Sequence, residues 1–182
     1  MILGAGPFQV PAIRKAVNLG YEVITVDYLP DNVGHTYSHR YFNCSTTDRE
    51  GVLHAARQLN IDGICTFSSD IAIPTVGYVC DQLSLPGVSF RSAEIMANKG
   101  LFRDFLRKKN LARPGYVTGK TFTEIKDRLT ELKLPVIFKP VDTSGSRGLG
   151  LLDTLDMASA SDKFRYAKGF SRSGEVCIEE FI

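Results

Sequence analysis

One lysine and the loop that follows it have the composition of an anion-binding segment. Lys139 follows the apolar residues 136–138, which predict a buried strand, and an ammonium there needs an anion because an unpaired buried charge is costly. The next loop offers hydroxyls, a guanidinium and glycines that expose backbone N–H groups, which are the donors a polyphosphate accepts. The segment predicts a loop over a nucleotide triphosphate; the alternative is a hairpin with a polar turn. The candidate loop residues are Thr143, Ser144, Gly145, Ser146, Arg147 and Gly148.

Two further segments follow predicted strands in the first ninety residues. Gly4 and Gly6 turn the chain after a short apolar run, and Ser69 and Asp70 follow a strand predicted at 63–67. Ligands of open parallel sheets bind at the carboxyl ends of strands, so these four residues are candidate substrate contacts. The need for glycine at a tight turn explains most of the first pattern. Asp70 is equally well explained as the N-cap of the next helix.

The Gly4–Gly6 turn is also half of a dinucleotide-binding fingerprint. The third glycine would fall at residue 9, which is Gln9, and Pro7 breaks the spacing. Asp27 ends the second predicted strand, where a ribose-binding acid would lie. An NAD(P)-linked Rossmann protein is therefore a disfavoured alternative.

The histidines and cysteines do not form a metal or nucleophile pattern. His35 and His39 are four residues apart, but no third metal ligand accompanies them. The four cysteines lack CxxC or metal spacing, and Cys65 and Cys177 lie in apolar runs as small hydrophobes. We expect no metal ligands in the chain, no Ser- or Cys-based triad, and a reduced, cytoplasmic protein.

Composition excludes several classes of partner. The 182 residues are 43% hydrophobic with a net charge of +2, and the basic residues are scattered rather than blocked. This predicts no nucleic-acid partner. No stretch approaches the ~18 apolar residues of a membrane span, so we also expect no membrane association.

The elements that position these residues fall into two patterns. Residues 1–90 alternate apolar runs with amphipathic segments, which predicts a parallel sheet with crossover helices. The later chain predicts two consecutive helices and then a small α+β unit with antiparallel strands. Predicted strands are 2–3, 21–26, 41–43, 63–67, 85–88, 116–118, 136–140, 149–152 and 175–182. Predicted helices are 8–19, 48–59, 71–83, 92–96, 99–109, 124–132 and 157–167.

Together these segments resemble the ATP-grasp superfamily of carboxylate–amine ligases. The likeness is closest to the branch that contains biotin carboxylase, carbamoyl-phosphate synthase and the purine-pathway carboxylases, and it covers the whole chain. The resemblance implies a Rossmann-like pre-ATP-grasp domain at 1–90, a helical linker at 91–113 and the first, lid lobe of an ATP-grasp domain at 114–182, with the second lobe absent. The segments that carry it are 3–6, 67–70, 98–99, 136–140, 143–148 and 176–182.

The resemblance also implies roles for individual residues. Lys99 and Lys139 resemble the two lysines that hold the α- and β-phosphates, and the 143–148 loop resembles the flexible cover over the β- and γ-phosphates. Residues 179–182 resemble the hinge between the lobes. There the Glu180 carbonyl and the Ile182 amide would pair with the adenine edge, and Glu179 belongs to the same candidate ATP-binding segment. The alternative for the Glu179 and Glu180 side chains is that they are merely polar residues at a strand end.

The implied chemistry is ATP-dependent phosphorylation of a carboxylate or bicarbonate to an acyl phosphate, which an amine captures. ATP and Mg²⁺ are the implied cofactors, with the Mg²⁺ ligands and the catalytic arginine expected beyond Ile182. We therefore expect the chain as given not to turn over. The resemblance also allows a homodimer. The main alternative is a non-catalytic nucleotide-binding or regulatory module.

Overall fold

A four-stranded parallel sheet organises the first unit of the computed structural model, which describes all residues from 1 to 182. The contacts divide the chain into units 1–94 and 95–182. The strand order of the first sheet is β3-β2-β1-β4, and β1 pairs in parallel with both β2 and β4. The strands are β1 (Ile2–Leu3), β2 (Ile24–Asp27), β3 (Arg40–Asn43) and β4 (Cys65–Thr66). The helices are α1 (Val10–Asn18), α2 (Arg49–Gln58), α3 (Ile73–Leu83) and α4 (Phe90–Ala97), with 3₁₀ turns at Val33–Tyr37 and Asp70–Ala72.

Helices cover both faces of this sheet at its two central strands, β1 and β2, in which every residue is buried. Leu3 and Val26 face α2 and α3 in one core cluster. On the other face, Ile2 and Val23 pack with Ile13 of α1. The predicted parallel sheet with crossover helices is confirmed.

Two expectations for this unit are wrong. Residues 85–88 form no strand; the segment bends after Ser84, whose φ is 54°, and the Leu85 amide donates to the Cys80 carbonyl at 3.0 Å. Cys65 is exposed rather than packed in the core, because β4 is a two-residue strand at the edge of the sheet.

A four-stranded antiparallel sheet organises residues 95–182, with strand order β5-β8-β6-β7. The predicted antiparallel pairing is confirmed for every neighbouring pair. The strands are β5 (Tyr116–Gly119), β6 (Val136–Pro140), β7 (Gly150–Leu152) and β8 (Val176–Glu180). The helices are α5 (Lys99–Lys108), α6 (Phe122–Leu129) and α7 (Met157–Gly169).

The two faces of the antiparallel sheet have different chemistry. Phe138 and Ile178 point into an apolar core with Ile125 of α6 and Phe164 of α7. Because side chains alternate along a strand, the neighbouring residues of β6 and β8 lie on the opposite face. That face carries polar groups, and the register places Lys139 directly opposite Cys177.

Side-chain caps determine where the helices of the second unit begin. The Asn98 carboxamide accepts from the Leu101 amide at 3.0 Å at the start of α5. Thr121 and Glu124 form a capping box, so α6 begins at Phe122, two residues before the predicted start. No helix in the structure combines the length and apolar character that crossing a membrane requires.

Candidate functional site

The polar face of the antiparallel sheet holds a buried carboxylate between two cations. Glu179 on β8 is 1% exposed. One carboxylate oxygen accepts from Arg103 Nε at 2.6 Å, and the other accepts from the Lys139 ammonium. Arg103 lies on α5 and Lys139 on β6, so a single carboxylate joins three elements.

The charge of this cluster follows from its hydrogen bonds. Burial acts to raise the pKa of Glu179, but the hydrogen bonds and charges of Arg103 and Lys139 outweigh it and leave the pKa below its ordinary value. Glu179 is therefore ionised at neutral pH. Its single negative charge meets two cations, so the cluster keeps an excess of positive charge.

Lys99 lies in the same cluster without a carboxylate partner. Its ammonium donates to the carbonyls of Pro140 at 3.0 Å and Thr143 at 2.6 Å. Burial lowers the pKa of Lys99, and the nearby charge of Lys139 acts in the same direction. A half-buried ammonium held only by carbonyl oxygens favours an incoming anion.

The glycine-rich loop begins at the Lys99 contact and has an unusual backbone. Gly145, Ser146 and Gly148 adopt left-handed φ values of 71°, 56° and 74°. The Thr143 hydroxyl donates to the Phe170 carbonyl at 2.5 Å, which ties the start of the loop to the end of α7. A Cβ at Gly148 would come within 2.9 Å of the Phe170 side chain, so this position requires glycine.

Arg147 and the loop hydroxyls remain near the surface. The Arg147 side chain is exposed, and its Nε donates to the Ser144 carbonyl at 3.2 Å. The structure thus brings together Lys99, Lys139 and Thr143, with the remaining loop residues extending beyond them.

Asp142, which directly precedes the loop, also anchors its start, and sequence reasoning missed it. Its carboxylate accepts from the backbone N–H of Arg172 at 3.2 Å and of Ser173 at 2.8 Å, and from the Ser171 hydroxyl at 2.9 Å. Burial acts to raise the pKa of Asp142, but these donors outweigh it and lower the pKa. Arg103 was also missed, because nothing in the local sequence of α5 indicates a partner 76 residues away.

The segment expected to act as a hinge is anchored by the Glu180 side chain. Its two oxygens accept from the backbone N–H groups of Lys133 and Gly115, each at 3.0 Å, and these bonds lower the pKa of the carboxyl. Strand β8 ends at Glu180, two residues earlier than predicted, and Ile182 is 95% exposed.

In the first unit, Asp27 organises the Gly4–Gly6 turn. The Asp27 carboxylate accepts from the Ala5 amide at 2.9 Å and the Leu29 amide at 3.1 Å. Gly4 has a φ of 95°. Because both carboxylate oxygens of Asp27 are already engaged, this residue does not support the ribose-binding role of the NAD(P) alternative.

Gln9 occupies the position where the fingerprint has its third glycine. Its side-chain amide donates to the Phe67 carbonyl at 2.6 Å. A Cβ at either Gly4 or Gly6 would come within 3.2 Å of the Gln9 side chain. The turn is therefore packed by Gln9.

Ser69 and Asp70 stand at the carboxyl end of β4. The N-cap explanation of Asp70 is wrong: Ser69 holds the N-cap position of a short 3₁₀ turn, and no side-chain cap bond forms there. The turn begins at Asp70 itself, whereas an N-cap at Asp70 would require the turn to begin at residue 71. The exposed Asp70 carboxylate has no hydrogen-bond partner in the chain.

His35 is a buried structural residue. Its Nδ1 lies 2.7 Å from the Thr25 hydroxyl, and its Nε2 lies 3.2 Å from the Leu29 carbonyl. His39 instead accepts from the Val23 amide at 3.0 Å. The two rings have separate partners, and no group of three or more potential metal-ligating side chains occurs in the structure.

No protein-family model matches the chain. Among curated proteins, the uncharacterized protein y4rH of Sinorhizobium fredii is 33% identical over 128 residues, which cover 69% of this chain and 27% of that protein. The formate-dependent phosphoribosylglycinamide formyltransferase of Burkholderia mallei is 28% identical over 189 positions, covering 100% of this chain and 46% of the enzyme. The chain spans less than half the length of these relatives.

Solved structures identify the fold. The N5-carboxyaminoimidazole synthetase of Staphylococcus aureus, complexed with ADP, matches with a TM-score of 0.76 at 17% identity, over 100% of this chain and 46% of that one. The biotin carboxylase domain of the Hydrogenobacter thermophilus 2-oxoglutarate carboxylase, in complex with MgADP, ADP and bicarbonate, matches with a TM-score of 0.71 at 14% identity, over 100% and 44%. The chain therefore has the fold of the N-terminal portion of ATP-grasp enzymes, which confirms the resemblance carried by its motifs.

Proposed function

We propose that this chain is the N-terminal part of an ATP-dependent ligase and that its second unit binds the phosphates of the nucleotide. The observation that carries the proposal is the placement of Lys99 and Lys139 beside a glycine-rich loop on the polar face of the sheet. Both ammonium groups are half-buried, and Lys99 is held only by carbonyl oxygens. The fold, which ADP-binding enzymes share, supports the same reading.

In this proposal the lysines neutralise the α- and β-phosphates, and the loop covers the β- and γ-phosphates. Hydroxyls and backbone N–H groups at 143–148 would donate where charge develops on the transferred phosphoryl group. Mg²⁺ would neutralise phosphate charge when bound, and we assign it no ligand in this chain. The Glu180 carbonyl and the Ile182 amide would receive the adenine edge.

We further propose that the intact ligase phosphorylates a carboxylate or bicarbonate and that an amine captures the acyl phosphate. Gly4, Gly6, Ser69 and Asp70 are the proposed substrate contacts of the first unit. All four lie at the carboxyl ends of parallel strands, where ligands bind in open sheets. The formate in the name of the Burkholderia mallei relative and the bicarbonate bound to the Hydrogenobacter thermophilus domain support a carboxylate or bicarbonate substrate. The particular pair of substrates belongs to the intact enzyme.

The test of the nucleotide site is a titration of the chain with ATP and ADP by calorimetry. Lys139→Ala should weaken binding by roughly 1.5–3 kcal/mol, the scale of a lost charge-assisted hydrogen bond. Lys126→Ala is the matched control, because Lys126 is an exposed lysine on α6, which packs on the apolar face of the sheet. Equal affinities of the wild type and Lys139→Ala would remove Lys139 from the site.

A further inference from the structure

The Arg103–Glu179–Lys139 cluster contains two cations that are not equivalent. The Arg103 and Lys139 side chains are 21% and 23% exposed, whereas that of Glu179 is 2% exposed. Arginine stays protonated and makes directed bonds from a planar group, while the lysine ammonium is a compact charge on a flexible stem. Lys139 is therefore the member of the cluster that can turn from the carboxylate to a ligand oxygen.

Release of Lys139 has a consequence for Glu179. If Lys139 were its sole partner, its departure would leave a buried carboxylate without a compensating cation, which is strongly unfavourable. Arg103 Nε donates to the other carboxylate oxygen at 2.6 Å, so this bond does not involve the lysine or the oxygen that the lysine contacts. Arg103 is anchored on α5, the helix whose first residue is Lys99.

We propose that Arg103 is a positioning residue of the nucleotide site: it holds Glu179 in place and charged, so that Lys139 can exchange this carboxylate for a nucleotide phosphate. The inference rests on the proposed function, in which Lys139 is a phosphate ligand. Arg103 itself touches no phosphate and acts through Glu179. Without Arg103, the Lys139 ammonium remains bound to Glu179, and nucleotide binding weakens.

The first test compares ADP and ATP affinities of the full chain and its variants by calorimetry. Arg103→Ala should weaken binding about tenfold, within the range of coupling seen in charge networks. Arg103→Lys restores a cation and should recover part of the loss. Arg107→Ala is the matched control: Arg107 lies one turn along α5 in an exposed pair with Asp104, and its removal should leave the affinity unchanged. Wild-type affinity in a folded Arg103→Ala variant would overturn the proposal.

A double-mutant cycle separates this role from a general structural one. If Arg103 acts through the carboxylate, Arg103→Ala in a Glu179→Gln background should change affinity by no more than about twofold. The same tenfold loss in both backgrounds would show that Arg103 acts on something other than Glu179.

A measurement without nucleotide completes the test. Carboxyl ¹³C NMR of Glu179 should give a pKa below the ordinary value in the wild type, a higher one in Arg103→Ala and an intermediate one in Arg103→Lys. An unchanged Glu179 pKa would overturn the positioning role. A wild type that binds no nucleotide would overturn the proposed function and the role of Arg103 in binding. A wild type and an Arg103→Ala variant that bind equally would overturn the role of Arg103 alone.

Discussion

At the scale of single residues, the buried carboxylates of Glu179 and Asp27 differ in the kind of hydrogen-bond donor that they accept from. Glu179 accepts from side-chain cations, one of which we propose to be exchangeable. Asp27 accepts from two backbone N–H groups that nothing else in the chain satisfies. A carboxylate bonded to side chains can change partners, whereas one bonded to the main chain fixes a loop.

The role of Asp27 leads to a stability prediction. Asp27→Ala leaves the buried amide of Ala5 and the partly buried amide of Leu29 without acceptors, and it should lower the free energy of unfolding by about 1–3 kcal/mol. Urea denaturation followed by circular dichroism measures this change. Asp31→Ala is the control, because Asp31 is exposed and makes no hydrogen bond, and its stability should stay within about 0.5 kcal/mol of the wild type. Equal stabilities of the two variants would contradict the assignment.

At the scale of elements, caps position the helices more sharply than hydrophobic periodicity does. Helix α7 has a weakly patterned sequence, yet it begins at Met157, as predicted. The Asp156 carboxylate accepts from the backbone N–H groups of Ala158 and Ser159, at 3.3 and 3.0 Å. These bonds satisfy two of the amides that a helix start leaves unpaired.

We expect Asp156→Ala to destabilise the second unit by about 1 kcal/mol, the usual effect of losing an N-cap. Chemical denaturation of this variant and of Asp153→Ala provides the comparison. Asp153 lies three residues earlier, is exposed and bonds to nothing in the chain. A loss of the same size in Asp153→Ala would indicate a general charge effect rather than capping.

At the scale of the whole molecule, one chain contains a parallel sheet and an antiparallel sheet with different sources of stability. The parallel sheet is buried by helices on both faces. The antiparallel sheet has one apolar face and one charged face. Ionisation should therefore contribute measurably to the stability of residues 95–182.

This leads to an acid-stability prediction for the second unit. The folded-state pKa values of Glu179 and Asp142 lie below their ordinary values of 4.5 and 3.8. The two ionised carboxylates therefore contribute their full stabilisation of the folded state above the ordinary pKa values. This stabilisation is lost as the pH falls through the lowered folded-state pKa values. Urea midpoints should hold between about pH 7 and pH 5 and fall below about pH 4. Glu179→Gln should show a shallower acid decline, and an unchanged slope would contradict the prediction.

The sequence by itself determined the type of each unit and the segments that bear the candidate site. Alternation of apolar runs and helical patterns predicted the parallel sheet, and the residues around Lys139 predicted a strand followed by an anion-binding loop. The parallel sheet, the strand at 136–140 and the left-handed backbone of the loop are confirmed, because they depend on local periodicity and on the backbone freedom of glycine. Anion binding by the loop stays a prediction.

Only the tertiary structure decided which charges meet. Arg103 and Glu179 are 76 residues apart, and their contact requires α5 to lie on the polar face of β8. The absence of the strand predicted at 85–88 and the exposure of Cys65 also depend on contacts between distant segments. Whether an apolar run pairs, or a thiol is covered, depends on the edge of the sheet and on what packs there. These are properties of packing between distant segments, and no local pattern of residues contains them.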